Sequence, residues 1–183
     1  MHAEDMAEIR DEAVLRAVAH PLRRRLLDAL RVDGPSMPSA LARATGQAVA
    51  NVSHHLRVLA EAELIEEAPE LARNRKEHWW RMTDPRISWN PADFTPEAAD
   101  AAAAIGLQRQ IDLIHTWLGS PAARAEPWGT SAFATDAWLR LSPEELAELG
   151  EEINALLTKY RERPEREDRE PVFVLGRGFP ARP

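Results

Sequence analysis

Two short helical patterns flank a single glycine, Gly46, in the segment from Ser36 to Glu63. Their apolar positions have the spacing that one buried helix face requires: Leu41 and Ala42 before the glycine, and Val52, Leu56 and Leu59 after it. Glycine is common just after a last helical turn because it adopts positive φ without steric cost. The sequence therefore predicts two helices, over residues 37–45 and 48–63, joined by a turn of a few residues, which is a helix-turn-helix.

Two strand patterns follow the second helix. Residues 64–66 and 78–82 are rich in β-branched and aromatic side chains, which favour strands. The segment between them is polar and contains the basic run 73–76. Two strands behind a helix-turn-helix, joined by a basic loop, predict a winged helix. Two further helices, over residues 4–18 and from Pro21 to Val32, are predicted ahead of the motif.

A long helix is predicted over residues 96–118, after a proline-containing linker over residues 84–95. Its apolar residues alternate at spacings of three and four, the pattern of a helix–helix interface. We call this set the long-helix seam, and predict that it forms a dimer interface: Ala104, Leu107, Ile111, Ile114 and Leu118.

The remainder of the chain predicts a strand, a helix and a strand. Residues 130–141 and 171–179 have strand composition, and the helix between them begins at a capping box, Ser142–Glu145, and ends near Arg163. The expected fold class is mainly α (α+β), in three parts. These are a winged helix-turn-helix domain (1–84), a linker with the dimerisation helix (85–119) and a small strand-helix-strand unit (120–183).

Composition narrows the classes of function. The net charge of −7 argues against a bulk nucleic-acid binder, but residues 16–81 hold 11 Arg and Lys against 8 Asp and Glu, a balance of +3. Absence of cysteine excludes disulfides, thiolate metal sites and cysteine nucleophiles. With neither a signal peptide nor a membrane-length apolar run in the sequence, a cytoplasmic protein without membrane partners is expected.

The stretch from Leu15 to Thr83 resembles the winged-helix DNA-binding domain of the ArsR/SmtB family of bacterial repressors. The matching segments, in order, are Ala19-His20-Pro21-Leu22-Arg23-Arg24-Arg25-Leu26-Leu27, Ser39-Ala40-Leu41-Ala42, Asn51-Val52-Ser53-His54-His55-Leu56-Arg57-Val58-Leu59 and Glu63-Leu64-Ile65. The resemblance implies that helix 48–63 is the recognition helix, which enters the major groove of double-stranded DNA. It also implies a homodimer, and repression as the usual outcome.

Candidate DNA contacts lie opposite the buried side of helix 48–63 and in the wing. The helix contributes Gln47, Ala50, Asn51, Ser53, His54 and Arg57, and the wing contributes Arg73, Arg75 and Lys76. Asparagine pairs with adenine and arginine with guanine or phosphate. The alternative is a solvated helix face and a charged hairpin tip. His55 lies toward the buried side and is a candidate core histidine.

The sequence gives little support for metal binding or catalysis. Many relatives of the resembled family sense metals, but this chain has no cysteine, and Asp112 and His115 lack a second pair of ligands on their helix. No metal site or cofactor is expected, and no catalytic arrangement of side chains indicates an enzyme. A cluster of aromatic residues is a candidate ligand pocket, with a small structural core as the alternative: Trp117, Trp128, Phe133 and Trp138.

The sequence therefore predicts a homodimeric, sequence-specific transcriptional regulator, in which the dimer acts as a repressor on an inverted-repeat operator. Two alternatives stay open. One is a protein-interaction module, and the other is a sensor in which the aromatic C-terminal unit binds a small-molecule effector. DNA binding predicts a steep salt dependence of affinity, whereas ligand sensing predicts thermal stabilisation by a compound.

Overall fold

The structure is a computed structural model that describes residues 7–9, 11–84, 87–89, 93–164 and 166–182. Its elements in chain order are β1 (Ala7–Ile9), α1 (Glu12–Val18), α2 (Pro21–Asp33), α3 (Pro38–Thr45), α4 (Val49–Glu61), β2 (Ile65–Glu67), β3 (Trp80–Met82), β4 (Ile87–Trp89), α5 (Pro96–Gly119), α6 (Trp128–Ser131) and α7 (Pro143–Arg161). The chain divides into unit 1 (1–115) and unit 2 (116–183). Among the described helices, none is both long and apolar enough to cross a membrane.

Unit 1 is built around the apolar faces of α1 to α4. The fully buried side chains come from all four helices and from the first residue of β2: Leu15, Leu26, Leu27, Leu41, Val52, Leu56, Leu59 and Ile65. All the apolar positions predicted for the helix-turn-helix, including Ala42, lie in this core. The predicted mainly α class with a winged helix-turn-helix is confirmed.

The turn between α3 and α4 has the geometry that its glycine predicts. Gly46 has φ 66° and ψ 31°, in the left-handed region. Gln47 N donates to Ala42 O at 2.9 Å and Gly46 N donates to Arg43 O at 3.3 Å. These two bonds form a Schellman motif, which satisfies the last carbonyls of α3 and turns the chain into α4.

The wing is a two-stranded antiparallel sheet. β2 pairs with β3, with Ile65 opposite Met82 and Glu67 opposite Trp80. Ser36 exchanges both backbone hydrogen bonds with Trp80, at 2.9 and 3.0 Å. Ser36 thus fastens the wing to the helix-turn-helix through its backbone and does not cap α3; Met37 occupies the N-cap position without a side-chain bond.

The predicted first helix and linker each contain a strand instead. Residues 7–9 form β1, which pairs in parallel with β4 at residues 87–89, and helix α1 begins only at Glu12. Asp11 caps α1, and its side chain accepts from Ala13 N at 2.7 Å. The helix therefore begins after Asp11, several residues later than predicted. Residues 4–6, 10, 85–86 and 90–92, on which those predictions also rest, lie outside the described residues.

Unit 2 contains α7 and the short helix α6. The predicted capping box is confirmed, since Glu145 N donates to Ser142 Oγ and Ser142 N donates to Glu145 Oε2. The prediction of strands at 130–141 and 171–179 is wrong within the described chain. Residues 132–142 and 170–182 carry no strand assignment, although their composition favours strands, because neither segment has a hydrogen-bonding partner strand within the described chain.

Candidate nucleic-acid interface

Helix α4 has one buried side and one exposed polar side. Its buried residues are Val52, His55, Leu56 and Leu59. We call the other side the polar face of α4: Gln47, Ala50, Asn51, His54 and Arg57, which are exposed, and Ser53, which is half-buried. Positions 47, 50, 51 and 54 recur at the spacing of one helix face. The structure therefore brings all six predicted residues of this helix together on the side away from the core.

The start of the polar face is ordered by its own side chains. Asn51 Nδ2 donates to Gln47 Oε1 at 3.1 Å, one turn apart. Ala48 is the N-cap of α4 and provides no side-chain cap bond. The first amide groups of α4 therefore have no side chain bound to them, and they lie beside two primary amides that can both donate and accept hydrogen bonds.

His55 joins α4 to the start of α2. Its ring is 9% exposed and stacks on the ring of His20, with 4.6 Å between the centroids. His20 is the N-cap of α2, and its Nδ1 accepts from Leu22 N at 3.2 Å and from Arg23 N at 3.5 Å. The prediction that His55 lies toward the core is confirmed. His20, whose role sequence reasoning missed, is the residue that it contacts.

Both histidines resist protonation. Burial lowers the pKa of His20, and the charge of Arg23 lowers it further. Burial also lowers the pKa of His55, with further contributions from His20, Arg23 and His54. Because each folded pKa lies below the ordinary value of 6.5, the unfolded chain binds more protons between the two values. Stability from this pair is complete above pH 6.5 and is lost as the pH falls below it.

His20→Asn should make folding less sensitive to acid. Asparagine is a good N-cap and does not titrate, so the variant keeps the cap of α2 and removes one of the two proton-binding rings. We expect the free energy of unfolding, measured by urea denaturation, to fall less between about pH 7 and pH 5 than in the unaltered protein. His2→Asn is the matched control. An unchanged pH dependence would show that His20 does not carry this acid sensitivity.

The wing tip is held by Glu77, a residue that sequence reasoning missed. Its carboxylate accepts from Arg73 N at 2.9 Å and from Asn74 Nδ2 at 3.1 Å, and Lys76 N donates to Asn74 Oδ1 at 3.0 Å. The backbone amide of Arg73 holds the pKa of Glu77 below its ordinary value, so the carboxylate stays charged. A short polar run of the type Asn-x-x-Glu is the signal that could have predicted this turn.

The three predicted wing cations are exposed at this ordered tip: Arg73, Arg75 and Lys76. The fourth cation of the wing, Arg81, lies on the sheet instead, where it pairs with Glu66 at 2.7 Å and with Glu70. These two carboxylates raise the pKa of Arg81. Two of the wing acids are therefore neutralised at the base of the wing, while the tip presents positive charge.

The three consecutive arginines of α2 point to different places, as their spacing predicts. Arg23 donates to the carbonyl oxygens of Ala17 and Arg16, at the end of α1. Arg25 donates to Thr45 O at 2.9 Å, at the end of α3. Arg24 lies toward Asp28, and its buried Nε has no hydrogen-bond partner among the described residues. Arg23 and Arg25 thus bind carbonyl oxygens at helix ends, which lack backbone partners.

Helix α5 is held to unit 1 by one side. Ala102 is part of the core, and Arg109 Nε donates to Asp28 Oδ2 of α2. At 100° a residue, the long-helix seam lies on the opposite side of α5 from Ala102. Its members are exposed except Ile111, which is half-buried. The predicted dimer interface is therefore an apolar stripe on the side of the helix that turns away from the core of unit 1.

The candidate ligand pocket is not enclosed. Phe133 and Trp138 are 76% and 69% exposed. Trp128 instead lines a shallow cavity of about 240 Å³ with Tyr160 and Arg163. Trp117 is half-buried in α5. None of the described residues of unit 2 is buried, so the small aromatic core that was the alternative does not form within one chain.

The two candidate metal ligands of α5 behave as surface residues. Asp112 and His115 are both exposed. Asp112 Oδ1 accepts from Gln108 Nε2 at 2.8 Å. In the part of the chain that the structure describes, no group of three or more His, Asp or Glu side chains is placed to hold a metal ion.

Comparison with known proteins agrees with this geometry at the level of the motif. A family model described as a helix-turn-helix domain matches residues 18–68, which include α2, α3, α4 and β2. A search of curated proteins found no match. The matched segment contains the helix-turn-helix and the first strand of the wing.

Solved structures similar to this chain include three regulators. One is the homodimeric winged helix-turn-helix DNA-binding domain of a possible ArsR-family transcriptional regulator from Mycobacterium bovis, at 23% identity, covering 58% of this chain and 81% of that chain with a TM-score of 0.35. The transcriptional repressor BigR from Xylella fastidiosa is 24% identical, covering 54% and 82%, also at 0.35. A MarR family regulator from Neisseria meningitidis is 14% identical, covering 76% and 75%, again at 0.35.

Proposed function

We propose that this protein is a sequence-specific, double-stranded DNA-binding transcriptional regulator. The observation that carries the proposal is the polar face of α4, a continuous exposed surface of short, hydrogen-bonding and cationic side chains. Asn51 offers donor and acceptor atoms for adenine, and Arg57 offers the donor pair that guanine or phosphate accepts. The exposed cations of the wing tip suit the phosphates or minor groove beside the same site.

We propose further that the protein acts as a homodimer through the long-helix seam. A two-fold dimer presents two copies of α4, so the operator is an inverted repeat with half-sites about one helical turn, roughly 10 bp, apart. The finer parts of the proposal are repression by occupancy of the operator, membership of the ArsR/SmtB type without metal sensing, and a cytoplasmic location. Repression and the ArsR/SmtB type rest on the resemblance of the motif around Ser53 and His54. The absence of metal sensing and the cytoplasmic location rest on composition, above all on the lack of cysteine.

Arg57→Ala tests the polar face directly. Arg57 is exposed on α4 and reaches from the end of the face, so its loss should weaken binding to a selected operator by about 1 to 3 kcal/mol if it pairs with a base. Fluorescence anisotropy with labelled duplex measures this. The matched control is Arg161→Ala, which removes an equally exposed arginine from the end of α7. Equal affinities for both variants would remove Arg57 from the interface.

A second candidate function is small-molecule sensing. It is favoured by the cavity at Trp128, where Arg163 lies 3.8 Å above the ring of Tyr160 and the walls combine aromatic rings with charge. An effector bound there would act by favouring a dimer whose recognition helices are wrongly spaced. A compound that raises the melting temperature, with an effect abolished by Tyr160→Ala, would support this function.

A further inference from the structure

A long stretch of unit 2 pairs with no strand or helix backbone among the described residues. Residues 132–142, which we call the arm, lie between α6 and α7 without helix or strand assignment. Within the described chain, the backbone from 133 to 141 forms no hydrogen bond. All residues of the arm are exposed, including the large apolar side chains Phe133, Trp138, Leu139 and Leu141. A solvated loop of ordinary composition would not carry four such side chains.

Helix α7 exposes an apolar face in the same unit. Ile153, Leu156 and Tyr160 are each at least 40% exposed. The C-terminal segment runs back along one edge of this face. A Cβ on Gly178 would meet Leu146 at 2.8 Å, and one on Gly176 would meet Ile153 at 3.7 Å. The segment thus covers part of α7 in its own chain and leaves the rest of the face open.

The open apolar surface is too large for a stable isolated unit. Seven large apolar side chains of the arm and α7 are at least 40% exposed. A fully exposed aromatic side chain presents about 150–250 Å² and an aliphatic one less, so together they expose on the order of 700 Å². The largest apolar patch of a typical monomer is about 300–600 Å². A standard protein interface buries about 800 Å² on each partner, which is close to the surface left open here.

We propose that a second copy of this chain covers this surface, with the arm of one protomer packed along α7 of its partner. This interface is additional to the long-helix seam, and it rests on the homodimer of the proposed function, not on DNA binding. Both complementary parts, an extended apolar arm and an apolar helix face, occur in one chain. A two-fold axis therefore pairs each arm with the other protomer's helix and leaves neither uncovered.

The lengths of the two parts agree. An extended chain advances about 3.3 Å a residue, so the eleven residues from 132 to 142 span up to about 36 Å. Helix α7 has 19 residues and is about 28 Å long at 1.5 Å a residue. The arm can therefore follow the whole helix. A small ligand cannot replace it, because the cavity of about 240 Å³ at Trp128 does not reach Phe133 or Trp138.

Leu139→Asp tests the arm in the full-length protein. A charge in place of a leucine that the proposed interface buries should raise the dissociation constant of the dimer at least about tenfold. Analytical ultracentrifugation over a dilution series measures this constant. Thr135→Asp adds the same charge to the arm at a position without a large apolar side chain, and should leave the constant unchanged. Circular dichroism of both variants checks that the helices are intact.

The outcomes separate this proposal from the proposed function. If Leu139→Asp dimerises as tightly as Thr135→Asp while Ile111→Glu is monomeric, the arm is not in the interface and only this inference fails. If the unaltered protein is monomeric at every concentration, both this inference and the homodimer fail. Selection from random DNA still tests sequence-specific binding in either case, because a monomer would enrich a single half-site in place of an inverted repeat.

A crosslinking experiment tests whether the arm of one protomer contacts α7 of its partner, without adding a charge to the interface. Phe133→p-benzoylphenylalanine is prepared in isotopically heavy and light protomers, which are mixed, irradiated and digested. We expect crosslinked peptides that join the arm of one isotopic form to residues 143–163 of the other. Crosslinks confined to one isotopic form, or a product without any second copy of this chain, would overturn the proposal.

Discussion

Ile111→Glu is expected to convert the dimer to a monomer and to weaken operator binding by about 10²- to 10⁴-fold. Ile111 lies in the middle of the long-helix seam, on the opposite side of α5 from Ala102. In a two-fold dimer the substitution places two glutamates at the centre of the seam, where each loses water without gaining a partner. Two linked half-site contacts then become independent, and the gain in effective concentration is lost.

Sedimentation velocity and operator titration on the same samples measure both effects. Ala101→Glu is the matched control, since it adds the same charge to an exposed position of α5 outside the seam. A dimeric Ile111→Glu protein would place the interface elsewhere. A monomer that keeps full operator affinity would contradict the two-half-site mechanism instead.

Asp28→Asn is expected to lower the free energy of unfolding by about 2 to 4 kcal/mol. Asp28 and Arg109 are 23% and 19% exposed, so the ion pair between α2 and α5 is largely out of water. Arg31 lies 3.5 Å from the other oxygen of Asp28. Burial lowers the pKa of Arg24, and the nearby carboxylate of Asp28 opposes this shift. Without the carboxylate, the neighbouring guanidinium groups of Arg24, Arg31 and Arg109 lose a counter-charge that lies near all three.

Urea denaturation compares this variant with Asp168→Asn. Asp168 pairs with Arg166 at 2.6 Å, but both side chains are more than 60% exposed, so its loss should cost less than about 1 kcal/mol. The double variant Asp28→Leu/Arg109→Leu should lose less stability than Asp28→Asn, because it removes both charges of the half-buried pair instead of one. Equal losses for Asp28→Asn and Asp168→Asn would show that the pair does not hold α5 to unit 1.

The helix-turn-helix was predictable because its information is local. The spacing of Val52, Leu56 and Leu59 fixes which side of α4 is buried, and Gly46 fixes the turn before it. Once the buried side is known, the polar face follows from helix geometry alone. The exposed positions of Asn51 and Arg57 therefore agree with the prediction, although their contact with DNA stays a proposal.

The contacts that the sequence did not predict join residues distant in the chain. The backbone bonds of Ser36 to Trp80 and the ring contact of His20 with His55 depend on how separate elements pack, which periodicity does not encode. The error at residues 130–141 has a different cause. Strand composition indicates that the side chains of a segment suit a half-buried surface, but it does not identify the segment or chain that packs against it.

Selection of random duplex DNA on the purified full-length protein, with binding of the enriched sequence repeated at several salt concentrations, tests sequence-specific DNA binding most directly. We expect enrichment of an inverted repeat with half-sites about 10 bp apart, and an affinity that falls steeply with salt. Recovery of no common sequence, with only weak binding that salt abolishes, would contradict a sequence-specific regulator.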